Sequence, residues 1–338
     1  PELSEADRLH TQSGVRAVPR LLCRDDIPGG QGSGRAELKN QLEHGSTARL
    51  EAAVKRCLEE ALAAAGAQWD QVGQVLASGM ITSNLGLCEI PHCTAPAGAA
   101  DLAAHAVTRL VPGVCPVPIT FFPGVKNAAE PVDAGHFEPM DIMRGEEVEA
   151  LALLHEYPAG RPYLLVLPGS HMKFVFADAA GRLTGCLTTI SGELLAAITT
   201  GTILADAVQR QFASPEGYDR ELALAGWRTA KQTGLGRACF SGRILSQFGK
   251  QSPQAVASYL LGAVLQSDLA AIHGSGALHL EPGAEVIVAG KDPLRRAMAD
   301  LLAAEGSFPK VYCYEPAPGA APLAARGVLY LARAAARG

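Results

Sequence analysis

The sequence predicts an α/β fold in two domains, on three observations. Residues 163–190 read YLLVLPGSHMKFVFADAAGRLTGCLTTI, which divides into three short strands in succession. From 191 onward helical and strand patterns alternate, the pattern of a sheet covered by helices. The 338 residues, 48% of them hydrophobic, suffice for about two domains with sizeable cores.

Composition narrows the function classes. A formal net charge of -5, with no basic stretch alternating with aromatics, speaks against a nucleic-acid partner. Mean hydropathy is +0.12, and no apolar run approaches a membrane span. The first residues are too charged for a signal peptide. The eight cysteines are scattered singly, with no C-x-x-C pair, so a reducing cytoplasm is expected. Cys88, His92 and Cys93 lie close together but fall short of the four ligands of a structural zinc site. No metal ligand is assigned.

Residues 1–45 are polar and rich in Gly and Arg. They open on Pro1 rather than methionine, which suggests a fragment or a processed product. The stretch GGQGSGRA at 29–36 has phosphate-loop spacing, but Arg35 and Ala36 stand where that motif needs Lys and Ser or Thr. It reads as a linker. A helix follows, with Leu50, Ala53, Val54, Cys57, Leu58, Ala61 and Leu62 at helical spacing and Gly66 as its stop. A strand at 72–77 runs into the small, polar loop SGMITSNLG, placed where α/β folds hold ligands. That loop also reads as a capped helix start at Thr82 or Ser83. A helix is expected at 101–110, a strand at 117–122, a loop from 123 to 140, and a helix to about 155 after DIMRGEE. Glu146 and Glu147 in its first turn complement the helix dipole, whereas Asp141 and Arg144 precede the helix.

The first of the three strands, 163–167, is a continuous apolar run, as in a fully buried strand. The second, 172–177, alternates and ends at an Asp-Ala-Ala-Gly turn, and the third, 183–190, is Thr-rich. A helix runs from 191 to about 204, with Glu193 in its first turn. Residues 214–250 mix helix and loop, with a turn at 234–237. A long helix at 252–273 is apolar on most faces. A buried strand at 285–289 precedes Gly290 and Lys291, and Asp292 is expected to cap a helix with Pro293 at its first position. A strand at 311–314 and a helix at 320–336 complete the pattern.

Three antiparallel strands followed by alternating helices and strands is the half-domain plan of the actin-like, sugar-kinase and chaperone ATPases, the ribonuclease H-like fold. Such folds carry two copies with nucleotide in the cleft between them. Residues 46–160 then form an incomplete first, sugar-binding domain, and 161–338 a nucleotide-binding domain. The segments ASGMITSNLGL, FFPGVKN, DIMRGEE, LPGSHMKFVFAD and SGELLAAITTGTIL, in this order, resemble the 2-dehydro-3-deoxygalactonokinase family. The resemblance runs from about residue 45 onward. It implies phosphorylation of the 6-hydroxyl of 2-dehydro-3-deoxygalactonate, with ATP and Mg2+. Family members open on a D-x-G-T phosphate hairpin. Here the nearest triplet, Gly45-Ser46-Thr47, lacks the Asp and reads as a helix cap, so 1–45 stays unmatched. A binding protein with impaired catalysis, or a kinase of another sugar, are the alternative readings.

Phosphoryl transfer needs a phosphate cradle, charge neutralisation and an oriented hydroxyl. Alone, the Pro168-Gly169-Ser170-His171 turn is an ordinary polar turn. In this context Gly169, Ser170 and His171 fit the cradle. Lys173, one strand face with His171, would neutralise charge. Arg144 suits the substrate carboxylate. Ser83, Asn84, Lys126 and Asn127 are candidates for its hydroxyls or keto oxygen. Asp141 is the first candidate for the base and Glu146 the second. Gly290 and Lys291 would border the nucleotide. The expected partners are a small sugar acid and ATP, with no nucleic acid and no membrane. A homo-oligomer is left open.

Overall fold

The structure, a computed structural model, describes residues 47–336. The loop at 29–36, the stretch where an opening phosphate hairpin is expected and not found in the sequence, and the Gly45-Ser46 part of the cap triplet lie outside the described residues.

Helix α1 (Ala48–Ala65) buries Ala53, Cys57, Ala61 and Leu62 along one stripe. Gly66, at φ 61°, ends it and donates its amide to the carbonyl of Ala63. Strands β1 (Val75–Ala77), β3 (Val107–Arg109) and β4 (Ile119–Phe121) form a sheet ordered β1-β4-β3. The helix expected at 101–110 stops early, as α2 (Ala99–Ala104). Beyond it the β-branched Val107 and Thr108 pair antiparallel with β4, where the Thr108 and Thr120 hydroxyls meet at 2.9 Å. A second small sheet, β2-β5-β6, joins β2 (Cys93–Thr94), β5 (Val125–Lys126) and β6 (Ile142–Met143). Helix α3 (Glu146–Glu156) follows.

The main sheet has five strands in the order β11-β10-β7-β8-β9. They are β7 (Tyr163–Leu167), β8 (Met172–Ala177), β9 (Leu183–Thr189), β10 (Glu285–Val288) and β11 (Val311–Cys313). The first three are antiparallel neighbours, as the sequence predicts, and β10 and β11 run parallel to β7. All six residues of β8 are buried, because both faces of the sheet are covered. On one face Leu164, Val166, Phe174 and Phe176 share a core with α4 (Ser191–Gly201), α5 (Arg220–Thr233), α7 (Pro253–Gly274) and α8 (Leu294–Glu305). On the other, Tyr163, Leu165 and Val175 share a core with Val148 and Leu151 of α3 and Val328 and Leu331 of α9 (Leu323–Ala335). A Cβ on Gly327 would lie 1.9 Å from the Val148 carbonyl oxygen, so α9 and α3 touch backbone to backbone.

Two local expectations are corrected. The turn at 234–237 narrows to Gly234 alone, since α6 (Leu235–Gln247) begins at the next residue. Asp292 does not cap α8. Its carboxylate pairs with Arg295 at 3.0 Å, and Pro293 takes the cap position. Helix α7, the one described helix long and apolar enough to cross a membrane, is mostly buried inside the protein.

Helices α5 and α7 cross at two glycines. A Cβ on Gly262 would lie 1.8 Å from the Ala223 carbonyl oxygen, and one on Gly226 would lie 1.9 Å from that of Tyr259. Gly262→Ala should therefore destabilise the protein by about 1–3 kcal/mol through overpacking. Its gain in helix propensity is only about 1 kcal/mol. Denaturant unfolding checks this, and an equal or higher midpoint would refute the tight crossing.

Candidate functional site

The β7–β8 hairpin pairs Leu167 with Lys173, leaving Pro168, Gly169, Ser170 and His171 at its head. Two glycines from distant segments hold that turn. A Cβ on Gly192, at the start of α4, would lie 2.2 Å from the Gly169 carbonyl oxygen and 2.7 Å from Ser170 Cα. The Glu193 amide donates to the Ser170 carbonyl at 3.0 Å, and His171 Nε2 lies 3.4 Å from Glu193 Oε1. On the other side Gly290, at φ 147°, meets Pro168; a Cβ there would lie 3.1 Å from Pro168 Cδ. The parallel pairing of β10 with β7 brings Gly290 and the exposed Lys291 to this end of the sheet. Gly169, Ser170, His171 and Gly290 thus converge, with Ser170 and His171 exposed. The two glycines seat the backbone of the turn against the first turn of α4 and the end of β10.

Lys173 turns away from His171. His171 belongs to the turn, not the strand, so the shared strand face expected for the pair does not hold. The Lys173 ammonium is 5% exposed and donates to the Ile142 carbonyl at 2.8 Å and to the Thr188 hydroxyl. Asp141 Oδ1 lies 3.8 Å from it. Asp141 accepts from the Thr188 amide at 2.5 Å, the Thr188 hydroxyl at 2.8 Å and the Ile142 amide at 2.6 Å. Lys173, Asp141 and Thr188 therefore bolt β6 to the hairpin. Three donors on Asp141 leave little of its lone-pair capacity for a substrate proton. Glu146 is half-buried, and among the described residues its carboxylate accepts from the Arg144 amide at 3.1 Å. The geometry thus reverses the order of the two candidate bases.

Arg144 departs furthest from its expected role. Its guanidinium donates to the Thr82 carbonyl at 2.7 Å, the Thr82 hydroxyl at 2.8 Å and the Ile90 carbonyl at 2.7 Å. The two-pronged face that would clamp a carboxylate instead holds the loop at 82–90. His92 Nδ1 lies 3.4 Å from Arg144 Nη2. Burial, with the charges of Arg144 and Lys126 adding to it, pushes His92 down to about 4, so its ring is neutral at pH 7. Gly79, at φ 87°, and Gly145, at φ 111°, let the two loops meet; a Cβ on Gly145 would lie 3.4 Å from Gly79 Cα.

Asn127 is also committed. Its side-chain amide donates to the carbonyls of Pro139, Cys186 and Ala277 at 2.9, 2.9 and 3.1 Å, and its oxygen accepts from the Cys186 amide at 2.8 Å. It cross-braces three segments and has no amide hydrogen left for a sugar. Ser83 is buried and donates to the Met80 carbonyl at 2.8 Å, whereas Asn84 beside it is exposed. Lys126 pairs with Glu130 at 3.0 Å on the surface. It sits opposite Ile142 in the β5–β6 ladder, one residue from Asp141.

Sequence reasoning missed Thr188, Gly192 and Glu147. Thr188 lies in the Thr-rich third strand and Gly192 in SGEL, so each carried a weak signal. Glu147 is fully buried, and both its oxygens accept from the Gly145 amide, at 3.0 and 2.8 Å. Burial, then the neighbouring Glu146 charge, pushes its carboxyl up to about 8. Among the described residues no group of three or more His, Cys, Asp or Glu is gathered to hold a metal ion.

The 2-keto-3-deoxy-galactonokinase family model matches residues 30–318. Among solved structures, a provisionally assigned 2-dehydro-3-deoxygalactonokinase from Sinorhizobium meliloti is similar, with TM-score 0.63 and 25% identity. The match covers 82% of this chain and 85% of that one. No curated protein matches the chain.

Glu147 gives a pH signature. Its folded pKa lies above the unfolded value, so the folded state binds the extra proton between them. The stability this proton confers is full below about 4.5 and is lost as pH rises through about 8. Glu147→Gln should therefore flatten the fall in melting temperature between pH 5 and 9. Parallel curves for the two proteins would remove the protonated carboxyl.

Proposed function

The chain belongs to the 2-keto-3-deoxy-galactonokinase family, and from that premise we propose that it transfers the γ-phosphoryl group of ATP to the 6-hydroxyl of 2-dehydro-3-deoxygalactonate. The observation that carries this reading is the junction of DIMRGEE with LPGSHMKF. Through Lys173, Asp141 and Thr188, a phosphate-type turn and the segment that leads into α3, with its half-buried Glu146, belong to one braced unit. The five-stranded order β11-β10-β7-β8-β9 supports an actin-like half-domain, with 161–338 binding nucleotide and 46–160 binding sugar. Seven free cysteines among the described residues suit a cytoplasmic enzyme.

In this reading Gly169, Ser170 and His171 hold the ATP phosphates through backbone amides and the Ser170 hydroxyl. The first turn of α4 adds its dipole, and Gly290 and Lys291 border the rest of the nucleotide. Glu146 takes the proton of the 6-hydroxyl as the new O–P bond forms and the bond to the ADP oxygen breaks. Asp141 and Lys173 keep β6 and the turn in register, and Lys173 lends positive charge to the junction. Asn84 and Lys126 meet the sugar acid. The surface Lys126–Glu130 pair is worth only about 0–1 kcal/mol, so a ligand carboxylate can displace Glu130. Mg2+, when bound, would offset phosphate charge. The described carboxylates form no ready ligand set, and no step here depends on it.

An ATP-coupled assay tests the reading. Wild type should phosphorylate 2-dehydro-3-deoxygalactonate; binding without turnover, or turnover only with other sugars, would overturn it. Glu146→Gln should lower kcat by about 10²–10⁴-fold, the usual worth of a general base. Lys173→Met should lower kcat by about 10²-fold or more. Unchanged rates would remove the corresponding roles.

A further inference from the structure

Asp268 is a buried ionisable group that the proposed reaction leaves unused. It lies on α7 and is fully buried in a helix whose neighbours Leu265, Leu269 and Ile272 are core residues. Its Oδ1 accepts from the Thr189 hydroxyl at 2.5 Å and the Ser191 hydroxyl at 2.6 Å. Among the described residues its buried Oδ2 has no hydrogen-bond partner. Burial pushes the carboxyl up to about 6 despite those two donors. A carboxyl in this setting lowers stability relative to a well-packed apolar residue, so packing does not account for it.

The two hydroxyls it holds lead straight to the phosphate turn. Thr189 ends β9 opposite Met172, the first residue after the turn. Ser191 begins α4, and the next two residues are the turn's seat: Gly192 against Gly169 and Ser170, and Glu193 bonded to Ser170 and paired with His171. The chain of contacts is short: Asp268 bonds Thr189 and Ser191, and the residues one and two places after Ser191 touch the turn.

We infer that Asp268 is a positioning residue for nucleotide. By fixing Thr189 and Ser191 it sets the start of α4, and through it the turn at 168–171, in the conformation that takes an anionic phosphate. The inference rests on the reading of that turn as an ATP-phosphate cradle. Asp268 touches no substrate and acts through the two hydroxyls.

The test pairs Asp268→Ala, which removes the acceptor, with Asp268→Asn, which keeps an oxygen in place. In Asp268→Ala the KM for ATP should rise at least tenfold while the KM for the sugar acid stays within twofold, and Asp268→Asn should restore most of the loss. Amide hydrogen exchange, read without nucleotide, should accelerate at least tenfold at Gly169, Ser170, His171 and Glu193 in Asp268→Ala, while β10 and β11 keep their protection. An unchanged KM for ATP with unchanged turn exchange would overturn the inference, as would acceleration spread evenly over β7–β11. If wild type neither binds nor turns over ATP, the cradle reading fails, while the exchange data still decide whether Asp268 orders the turn. Should Asp268→Ala not fold, Ser191→Ala and Thr189→Val each remove one donor and should show the same local exchange pattern, and its absence in both would overturn the inference.

Discussion

One buried cation organises the centre of this molecule. Lys173 lies in a strand whose residues are all inside the protein, between two helix-covered faces. An ammonium in that position must be paired and hydrogen-bonded, or it loses its charge. The partners it finds are the Ile142 carbonyl, the Thr188 hydroxyl and, slightly farther, the Asp141 carboxylate. None lies on its own strand, so satisfying one charge fixes the small β2-β5-β6 sheet against the large one. The placement of Arg144, and of Glu146 and Glu147 in the first turn of α3, follows from that constraint, since Arg144 directly follows β6 and Gly145 leads into α3. The loop at 82–90 follows in turn, because Arg144 holds it.

Glycine makes the rest of the arrangement possible by allowing backbone to approach backbone. Gly192 admits the phosphate turn to the start of α4, and Gly290 lets the end of β10 close against Pro168. These contacts are steric and short-ranged, and they leave the turn's exposed residues, Ser170 and His171, on a rigid support. Two designs meet at this site: electrostatic pairing sets which segments come together, and missing side chains set how closely.

Much of the fold was legible in the chain. The three antiparallel strands announced themselves as apolar runs separated by turn residues, and long helices such as α1 and α7 carried periodicity over several turns. The two-residue strands β2, β5 and β6 could not be seen, because a period of two needs more than two residues. Strand β3 was absorbed into a predicted helix because Asp101 and Leu102 lie in a real one that ends at Ala104. At the site, the turn and Gly290 were found from their position at the ends of strands. Arg144 and Asn127 were given the right chemistry but the wrong partners. A sequence shows that a guanidinium suits a carboxylate; it does not show that two carbonyls 54 and 62 residues away will claim it first. Thr188 and Asp268 were invisible for the same reason, since their importance lies wholly in what faces them.

The pairing of α9 with α3 bears on how the chain is made. Arg326 reaches Glu156 across 170 residues, and Gly327 sits against Val148. During synthesis α3 emerges early, with Val148 and Leu151 needing cover that only residues up to 335 supply. At about 5–20 residues per second, that interval lasts on the order of 10–40 s. The face of the central sheet shared by α3 and α9 stays only partly covered throughout, so native closure is a late event. The ordering of the phosphate turn between β7 and β8, which needs α4, α7 and β10, can precede it.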